Sequence, residues 1–364
     1  MELPLITAII PTYKRPHMLK RAIQSVLGQT YKHFTLLIAD NASGKETEEV
    51  IERFMQQDSR IKLLRHSTNI GAIANFNTAL MQASTPYVCF LPDDDFFAPF
   101  FFEEALEPFN KHPDIAFCGG GGVLINQKYE VTRVDQNQQS IPPPGYYSPP
   151  KGLFAYLRSS FGIAFPPLLF KTALLKEMGG FDLRIRNGAD EYLVSQCAAK
   201  YPIFLLTDRI FYFGFQHSNS LSAQIDFPLF EYETSCLYEH LRNIPFSSEE
   251  KEEIDQFFSK RQLKILSNAY RHFISLKEFE KAESYAEKIY QQTHSLSWKR
   301  KRRLAAICQH LPALSSLYTR VKKTEKTLRC FIKNPEKENS PPSLEPPDLS
   351  WKEYALSLER TDFA

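Results

Sequence analysis

The chain has 364 residues, 43% hydrophobic and 24% charged, which is enough for a sizeable buried core and too apolar for a disordered protein. Lys and Arg number 44 against 42 Asp and Glu, a net of +2, so bulk charge gives no hold on nucleic acid and none is expected as a partner.

In chain order, LPLITAIIP is a short β-rich run closed by Pro11 and reads as a buried strand. PHMLKRAIQSVLGQ follows, with Met18, Leu19, Ala22, Ile23, Val26 and Leu27 at helical spacing and Gly28 as its stop. FTLLIAD is a second strand, ending in the turn DNASGKET. A helix over Glu46 to Gln57, a strand over Ile61 to Arg65, a helix near Ile73 to Ala83 and the strand YVCFL complete the first stretch. Strands alternating with helices predict an α/β fold with a mostly parallel sheet, whose ligands bind at the carboxyl ends of the strands. Two polar strand ends meet that description, Asp40-Asn41 and Asp93 to Asp95.

Further on, CGGGGVLINQKYEV reads as a glycine-rich strand entry or hairpin, and QSIPPPGYYSPP as an exposed Pro-rich loop. PPLLFKTALLKEMGGFD gives a strand, a helix and a Gly-Gly turn; ADEYLVSQCAAKY is a helix opened by acids; IFLLTDRIFYFGF reads as a strand pair. From Phe227 the pattern is helical, and SNAYRHFISLKEFEKAESYAEKIYQQ resembles one helical hairpin of tetratricopeptide type, too few for a solenoid. The expected division is 1–226 for the α/β domain, 227–330 for a helical region and 331–364 for a disordered Pro-rich tail. The six cysteines form no CxxC pair and read as free thiols. Leu5 to Ile10 is too short for a signal peptide and lacks a basic lead; no apolar stretch reaches the ~18 residues that span a bilayer, and a cytoplasmic location is expected. WKRKRRLAAICQHLPALSSLYTRVKK, 298–323, has two readings, an ordinary helix packed on the α/β domain with a solvated charged end, or a basic amphipathic surface for peripheral contact with the inner face of a membrane.

The three acids of YVCFLPDDD repel one another, and a polar turn alone does not need them. On an extended strand end Asp93 and Asp95 share a face and Asp94 takes the other. Clustered carboxylates beside a diphosphate make a hard-oxygen site suited to Mg²⁺ or Mn²⁺; the competing reading is that one of them caps a helix starting near Phe96. Neither a GxSxG elbow, a Walker loop nor a GxGxxG opening a helix is present.

IIPTYKRP, IADNASGKET, NIGAIANFNTALMQA, YVCFLPDDD, GGFD, ADEYL and FQHSNSLS stand in one order. This set, from about Leu5 to Ala223, resembles the inverting family 2 glycosyltransferases, which have the GT-A fold. The resemblance implies transfer of a sugar from a nucleotide-diphosphate donor to a hydroxyl acceptor, which could be a sugar, a lipid-linked glycan or a protein, in cell-envelope polysaccharide, lipopolysaccharide or glycoprotein assembly. It assigns Pro11, Thr12, Tyr13, Asp40, Asn41, Asn69, Gly71 and Asp93 to the nucleotide. A carboxylate at Asp40 accepting from an imide N–H favours uracil or thymine, hence a UDP- or dTDP-sugar; an Asx-type turn is the competing role for Asp40. The metal goes to Asp94, with Asp95 and His217 on the metal side, and the catalytic base to Asp190. Two departures stand out: Ala189 replaces the acid that commonly precedes the base, and Phe76 replaces an Arg that many members carry before Asn77. The first keeps open a catalytically silent nucleotide-sugar-binding or scaffold protein. A nucleotidyltransferase would need a Gly-rich loop after the first strand, and PTYKRPHML has no glycine.

Overall fold

The computed structural model describes residues 3, 5–133, 141–159, 164–215, 226–310 and 350–360. They fall into two compact units, Met1–Gln224 with Leu344–Ala364, and Ile225–Ser343.

The first unit opens with β1 (Ile6–Thr12), α1 (Pro16–Leu27), β2 (Phe34–Asp40), α2 (Lys45–Gln57), β3 (Ile61–Arg65), α3 (Ala72–Gln82) and β4 (Tyr87–Phe90). It continues with β5 (Phe96–Phe97), α4 (Phe101–Lys111), β6 (Phe117–Ile125), β7 (Val131–Arg133), β8 (Gly145–Tyr147), α5 (Lys151–Arg158), β9 (Leu168–Lys171), α6 (Thr172–Glu177), α7 (Ala189–Lys200) and β10 (Ile203–Phe215). The strands form one sheet in the order β3-β2-β1-β4-β9-β6-β10-β5, with β7 on β6 and β8 on β10. β1 runs parallel to β2 and β4, β2 to β3, and β6 to β10, while β9 is antiparallel to both β4 and β6. Six of the ten strands therefore point one way, and the expected mostly parallel sheet is present. Their carboxyl ends share an edge, where Thr12 pairs in register with Asp40 and Asp40 with Arg65.

The helices cover the sheet for the reason their spacing gives. Pro16 sits at the start of α1, where its missing N–H costs nothing, and Leu19, Ala22, Ile23 and Val26 are buried. They join Ile6, Ile10, Leu36, Ile38, Phe101 and Phe102 in the main core. Cys89, Cys118 and Cys197 are buried free thiols.

The glycine run has a packing cause. A Cβ on Gly120 would lie 2.3 Å from the Leu206 carbonyl oxygen, and one on Gly119 1.9 Å from that of Pro167. Both clashes are with backbone, which cannot rotate away. Gly120→Ala is expected to lower the unfolding free energy by about 1–3 kcal/mol or more, the cost of overpacking a filled core. A urea-midpoint shift with an unchanged slope would show it; an unshifted midpoint would mean that the backbone gives way freely.

Three expectations are corrected in this unit. IFLLTDRIFYFGF is one strand, β10, parallel to β6 on both sides of a register shift between Leu206 and Ile210, because a bulge absorbs the polar Thr207 to Arg209 without reversing the chain. No helix begins near Phe96; β5 pairs with β10 there and α4 starts at Phe101. Inside the stretch read as a disordered tail lies a helix, α12 (Ser350–Arg360). Its Ala355 and Leu358 are buried with Phe96, Val123, Ile125 and Phe213, and the Trp351 ring stacks on Phe213 at 5.3 Å. The rest of that stretch, 331–349 and 361–364, lies outside the described residues.

Four helices of the second unit are described: α8 (Phe227–Arg242), α9 (Ser248–Leu276), α10 (Phe279–Thr293) and α11 (Leu296–His310). α9 and α10 form the expected hairpin, turning at Lys277 in the left-handed region (φ 62°). Ala305 and Cys308 of α11 are buried in this unit's own core, and Leu304 and Trp298 pack against it. That much of the 298–323 segment is an ordinary packed helix, although on the helical unit's own core; Arg302 pairs with Glu287 and Lys301 covers the Trp298 ring. Residues 311–323 lie outside the described set. Among the described residues no helix is long and apolar enough to cross a membrane.

Candidate active site

The carboxyl edge gathers the polar strand ends into two connected networks. In the first, Asp40 is buried at the end of β2 and accepts from the Ser43 amide (3.0 Å) and from Arg65 Nε (3.1 Å). Ser43 Oγ in turn accepts from the Lys14 amide at 2.9 Å. Lys14 and Ala42 both hold left-handed φ, 56° and 63°, a strain that non-glycine residues accept where surrounding bonds fix the loop. Asp40 therefore does make the Asx-type turn, and is ion-paired as well. Each carboxylate oxygen still has a second lone pair for a ligand donor.

Asn41 continues the edge. Its Oδ1 accepts from the Ile70 amide (2.9 Å), and its Nδ2 donates to Asn69 Oδ1 (3.0 Å), which also accepts from the Gly71 amide (2.9 Å). Gly71, at φ 86°, turns the chain into α3. The Tyr13 hydroxyl bonds Asn69, chiefly for which its pKa is lowered, and its ring stands 40% exposed at the rim with Lys14 Nζ above it. Thr12, Tyr13, Asp40, Asn41, Asn69 and Gly71 are thus brought together, with Pro11 in β1 directly behind.

The acids form the second network. Pro92 breaks β4, and the Asp95 amide donates back to the Pro92 carbonyl (3.2 Å), so residues 92–95 make a turn. The expected alternation of faces consequently fails. Asp93 and Asp94 converge, and Asp95 turns away. Asp93 Oδ2 accepts from Thr12 Oγ1 (2.8 Å); Arg15 Nη1 lies 3.1 Å from Asp93 Oδ1 and 3.0 Å from Asp94 Oδ2. Burial, and then the neighbouring Asp94, push the Asp93 carboxyl up to about 6 against the pull of Arg15 and Thr12.

Asp95 is committed elsewhere. Its Oδ2 accepts from the Tyr212 hydroxyl (2.6 Å) and its Oδ1 from the Phe215 amide (2.8 Å), both on β10. Burial, with Asp94 adding, raises its pKa well above the ordinary range, and burial followed by Asp95 raises that of Tyr212. The geometry makes Asp95 a tie between the acid turn and β10.

Three polar residues four apart, Arg21 and Ser25 on α1 and Gln29 just past its end, fix the segment after the acids. Arg21 Nη2 donates to the Asp94 carbonyl (2.6 Å), Ser25 Oγ accepts from the Phe97 amide (3.2 Å), and Gln29 Nε2 donates to the Ala98 carbonyl (2.7 Å). The Arg21 guanidinium lies 4.1 Å over the Phe215 ring.

Asp190 lies nearly a hundred residues further on, at the start of α7. It opens α7, held by buried Leu193, Val194 and Cys197, and its Oδ1 accepts from the Glu191 amide (2.8 Å). Its charge acts on the Tyr212 phenol together with those of Asp94 and Asp95. The GGFD turn before it is clamped by Asn77, which donates to the Phe181 carbonyl (2.7 Å) and accepts from its amide (2.8 Å). Phe76 packs on Phe90 and Phe181, filling apolar space where an Arg would present a cation.

His217 lies outside the described residues, as do 134–140, which include the first two residues of the Pro-rich loop, and 160–163. Among the described residues no group of three or more His, Cys, Asp or Glu is arranged to hold a metal. Asp93 and Asp94 nevertheless fit a hard divalent cation in part, because they already embrace one cation, the Arg15 guanidinium, and such ions take the rest of their shell from phosphate and water. Sequence reading missed Arg15, Arg21 and Tyr212. Arg21, Ser25 and Gln29 carried a signal, a polar row at helical spacing beside an apolar one; Tyr212 carried none.

The sequence profile of Glycosyl transferase family 2 matches residues 7–168. An uncharacterized glycosyltransferase of Methanocaldococcus jannaschii is 27% identical over 58% of this chain and 72% of its own. The UDP-Glc:alpha-D-GlcNAc-diphosphoundecaprenol beta-1,3-glucosyltransferase WfgD of Escherichia coli is 36% identical over 34% of this chain and 47% of its own. An uncharacterized glycosyltransferase of Haemophilus influenzae, 34% identical, is spanned over 56% of its length. Among solved structures, S. aureus TarS 1-349 in complex with UDP-GlcNAc superposes with a TM-score of 0.58 at 18% identity, covering 79% of this chain and 80% of that one. The mannosyltransferase PcManGT from Pyrobaculum calidifontis, in complex with GDP-Man and Mn2+, gives 0.52 at 15% identity over 87% and 84%. These likenesses establish the GT-A-type fold.

Proposed function

We propose that the chain, which matches Glycosyl transferase family 2 over residues 7–168, is a member of that family and moves a sugar, with inversion, from a UDP- or dTDP-sugar to a hydroxyl acceptor, with Mg²⁺ or Mn²⁺. The observation that carries the reading is the meeting of Asp93, Asp94 and Thr12 at one sheet edge, where Arg15 bridges the two carboxylates. The ligands of the neighbouring structures, UDP-GlcNAc in one and GDP-Man with Mn2+ in the other, support a nucleotide-sugar donor. WfgD, named for a diphosphoundecaprenol-linked acceptor, supports a lipid-linked glycan as the hydroxyl partner.

The residues divide the work as follows. Tyr13, Asp40, Asn41 and Asn69 hold the base, with Gly71 shaping that rim, and Asp93 takes the ribose. Asp94, with Asp93 beside it, would hold the divalent cation, which when bound neutralises charge growing on the leaving diphosphate. Asp190 accepts the acceptor hydroxyl's proton as the oxygen attacks; one base and one attack invert the anomeric centre.

A thermal-shift screen of nucleotide sugars with Mn²⁺ tests the donor. Ligand at a hundredfold excess over Kd stabilises by about 2.7 kcal/mol, a shift of several degrees. UDP- or dTDP-sugars should give it and GDP-sugars should not; no shift with any of them contradicts the reading. Donor binding by calorimetry with no turnover across a broad acceptor panel would instead favour the silent binding protein.

Acidity gives a second check. The Asp93 carboxyl titrates near 6, so it is charged above that pH and gains a proton below it. UDP and Mn²⁺ affinity is expected to fall as the pH drops through about 6, and Asp93→Asn to flatten that dependence. Titrations on either side of that value decide it.

A further inference from the structure

We propose that Arg15 is a displaceable internal cation: its guanidinium holds the position between Asp93 and Asp94 until a nucleoside diphosphate arrives, so that the divalent cation and the diphosphate enter together. The inference rests on the metal-dependent reading above and adds the order in which the site fills.

A single nitrogen, Arg15 Nη1, bridges the two carboxylates at 3.1 and 3.0 Å. One positive centre shared between carboxylates of adjacent residues is the arrangement a divalent cation would take, so both compete for the same oxygens. The Arg15 backbone is not free to follow a ligand. Its carbonyl accepts from the Leu19 amide (3.0 Å) to start α1, and Pro16 holds it outside the helical region. The side chain is 27% exposed, so the guanidinium can swing toward solvent while its Cα stays in place. Arg21 cannot play this part, being buried, bonded to the Asp94 carbonyl and packed over Phe215.

Charge decides the order. One guanidinium already partners both carboxylates. A divalent cation entering alone must either join a guanidinium already there or expel it with no partner. A diphosphate supplies the missing negative charge, and a guanidinium matches its oxygens in bidentate fashion. The diphosphate therefore lowers the cost of moving Arg15 and completes the cation's shell in one step.

The test is Mn²⁺ binding, followed by electron paramagnetic resonance, with and without UDP, in wild type, Arg15→Gln and Arg15→Lys, each checked for an unchanged unfolding midpoint. Wild type should bind Mn²⁺ weakly alone and roughly tenfold or more tightly with UDP, in the range of coupled sites. Arg15→Gln should bind Mn²⁺ alone more tightly than wild type and show less coupling to UDP. Arg15→Lys, which keeps the charge, should stay near wild type without UDP. If wild type binds Mn²⁺ and UDP together but Arg15→Gln gains no Mn²⁺ affinity alone, the displacement is wrong and the metal-dependent reading survives. If no protein binds Mn²⁺ even with UDP, both fall.

Discussion

Asp190→Asn is expected to lower turnover by about 10²–10⁴-fold, the usual contribution of a positioned general base, with nucleotide affinity nearly unchanged. The substitution keeps shape and hydrogen bonding and removes only the proton acceptor; the amide oxygen can still accept from the Glu191 amide, as the carboxylate does at 2.8 Å. Acids at a helix start are also favoured by the helix dipole, so a bland role would show as a stability change with turnover intact. Steady-state rates and calorimetric donor affinity on the same preparations separate the two. The Ala at 189 makes the result more informative, because Asp190 has no preceding acid to stand in for it.

Asp94→Asn is expected to be of similar size but different in kind. Losing one of two carboxylates from a cation site on the leaving-group side costs several kcal/mol of transition-state stabilisation, or roughly 10³-fold in rate. Here nucleotide binding should suffer as well, and Mn²⁺ should no longer improve it. The fold is expected to survive, because Arg21 of α1 holds Asp94 by its backbone carbonyl, which the substitution leaves in place. A variant as active as wild type, and as responsive to Mn²⁺, would remove Asp94 from the site.

Much of the fold could be read from the sequence because its strands and helices carry strong local patterns. β1 to β4 and α1 to α3 follow from apolar runs closed by Pro11, Asp40 and Pro92 and from helical spacing between them. The acid turn was harder. Treating Asp93 to Asp95 as strand gave Asp95 the face of Asp93, whereas Pro92 ends the strand and sends Asp95 to Tyr212 and Phe215. That partnership joins residues 117 positions apart, which no local pattern reveals. The α12 helix was hidden by its Pro-rich approach, although Trp351, Tyr354, Ala355 and Leu358 stand at three- and four-residue spacing. Arg15 carries no signal of its own in the sequence; the two carboxylates beside it single it out.

Metal-assisted sugar transfer at this sheet edge is the proposal on which the rest depends. Its most direct test is the rate of nucleoside-diphosphate release from UDP-glucose and a panel of other nucleotide sugars, with Mn²⁺ and with chelator. Wild type, Asp94→Asn and Asp190→Asn should be compared side by side. Wild type should release diphosphate from at least one UDP- or dTDP-sugar and stop doing so on chelation, and both variants should nearly abolish release. Release that is equally fast in both variants, or indifferent to the metal, would contradict it.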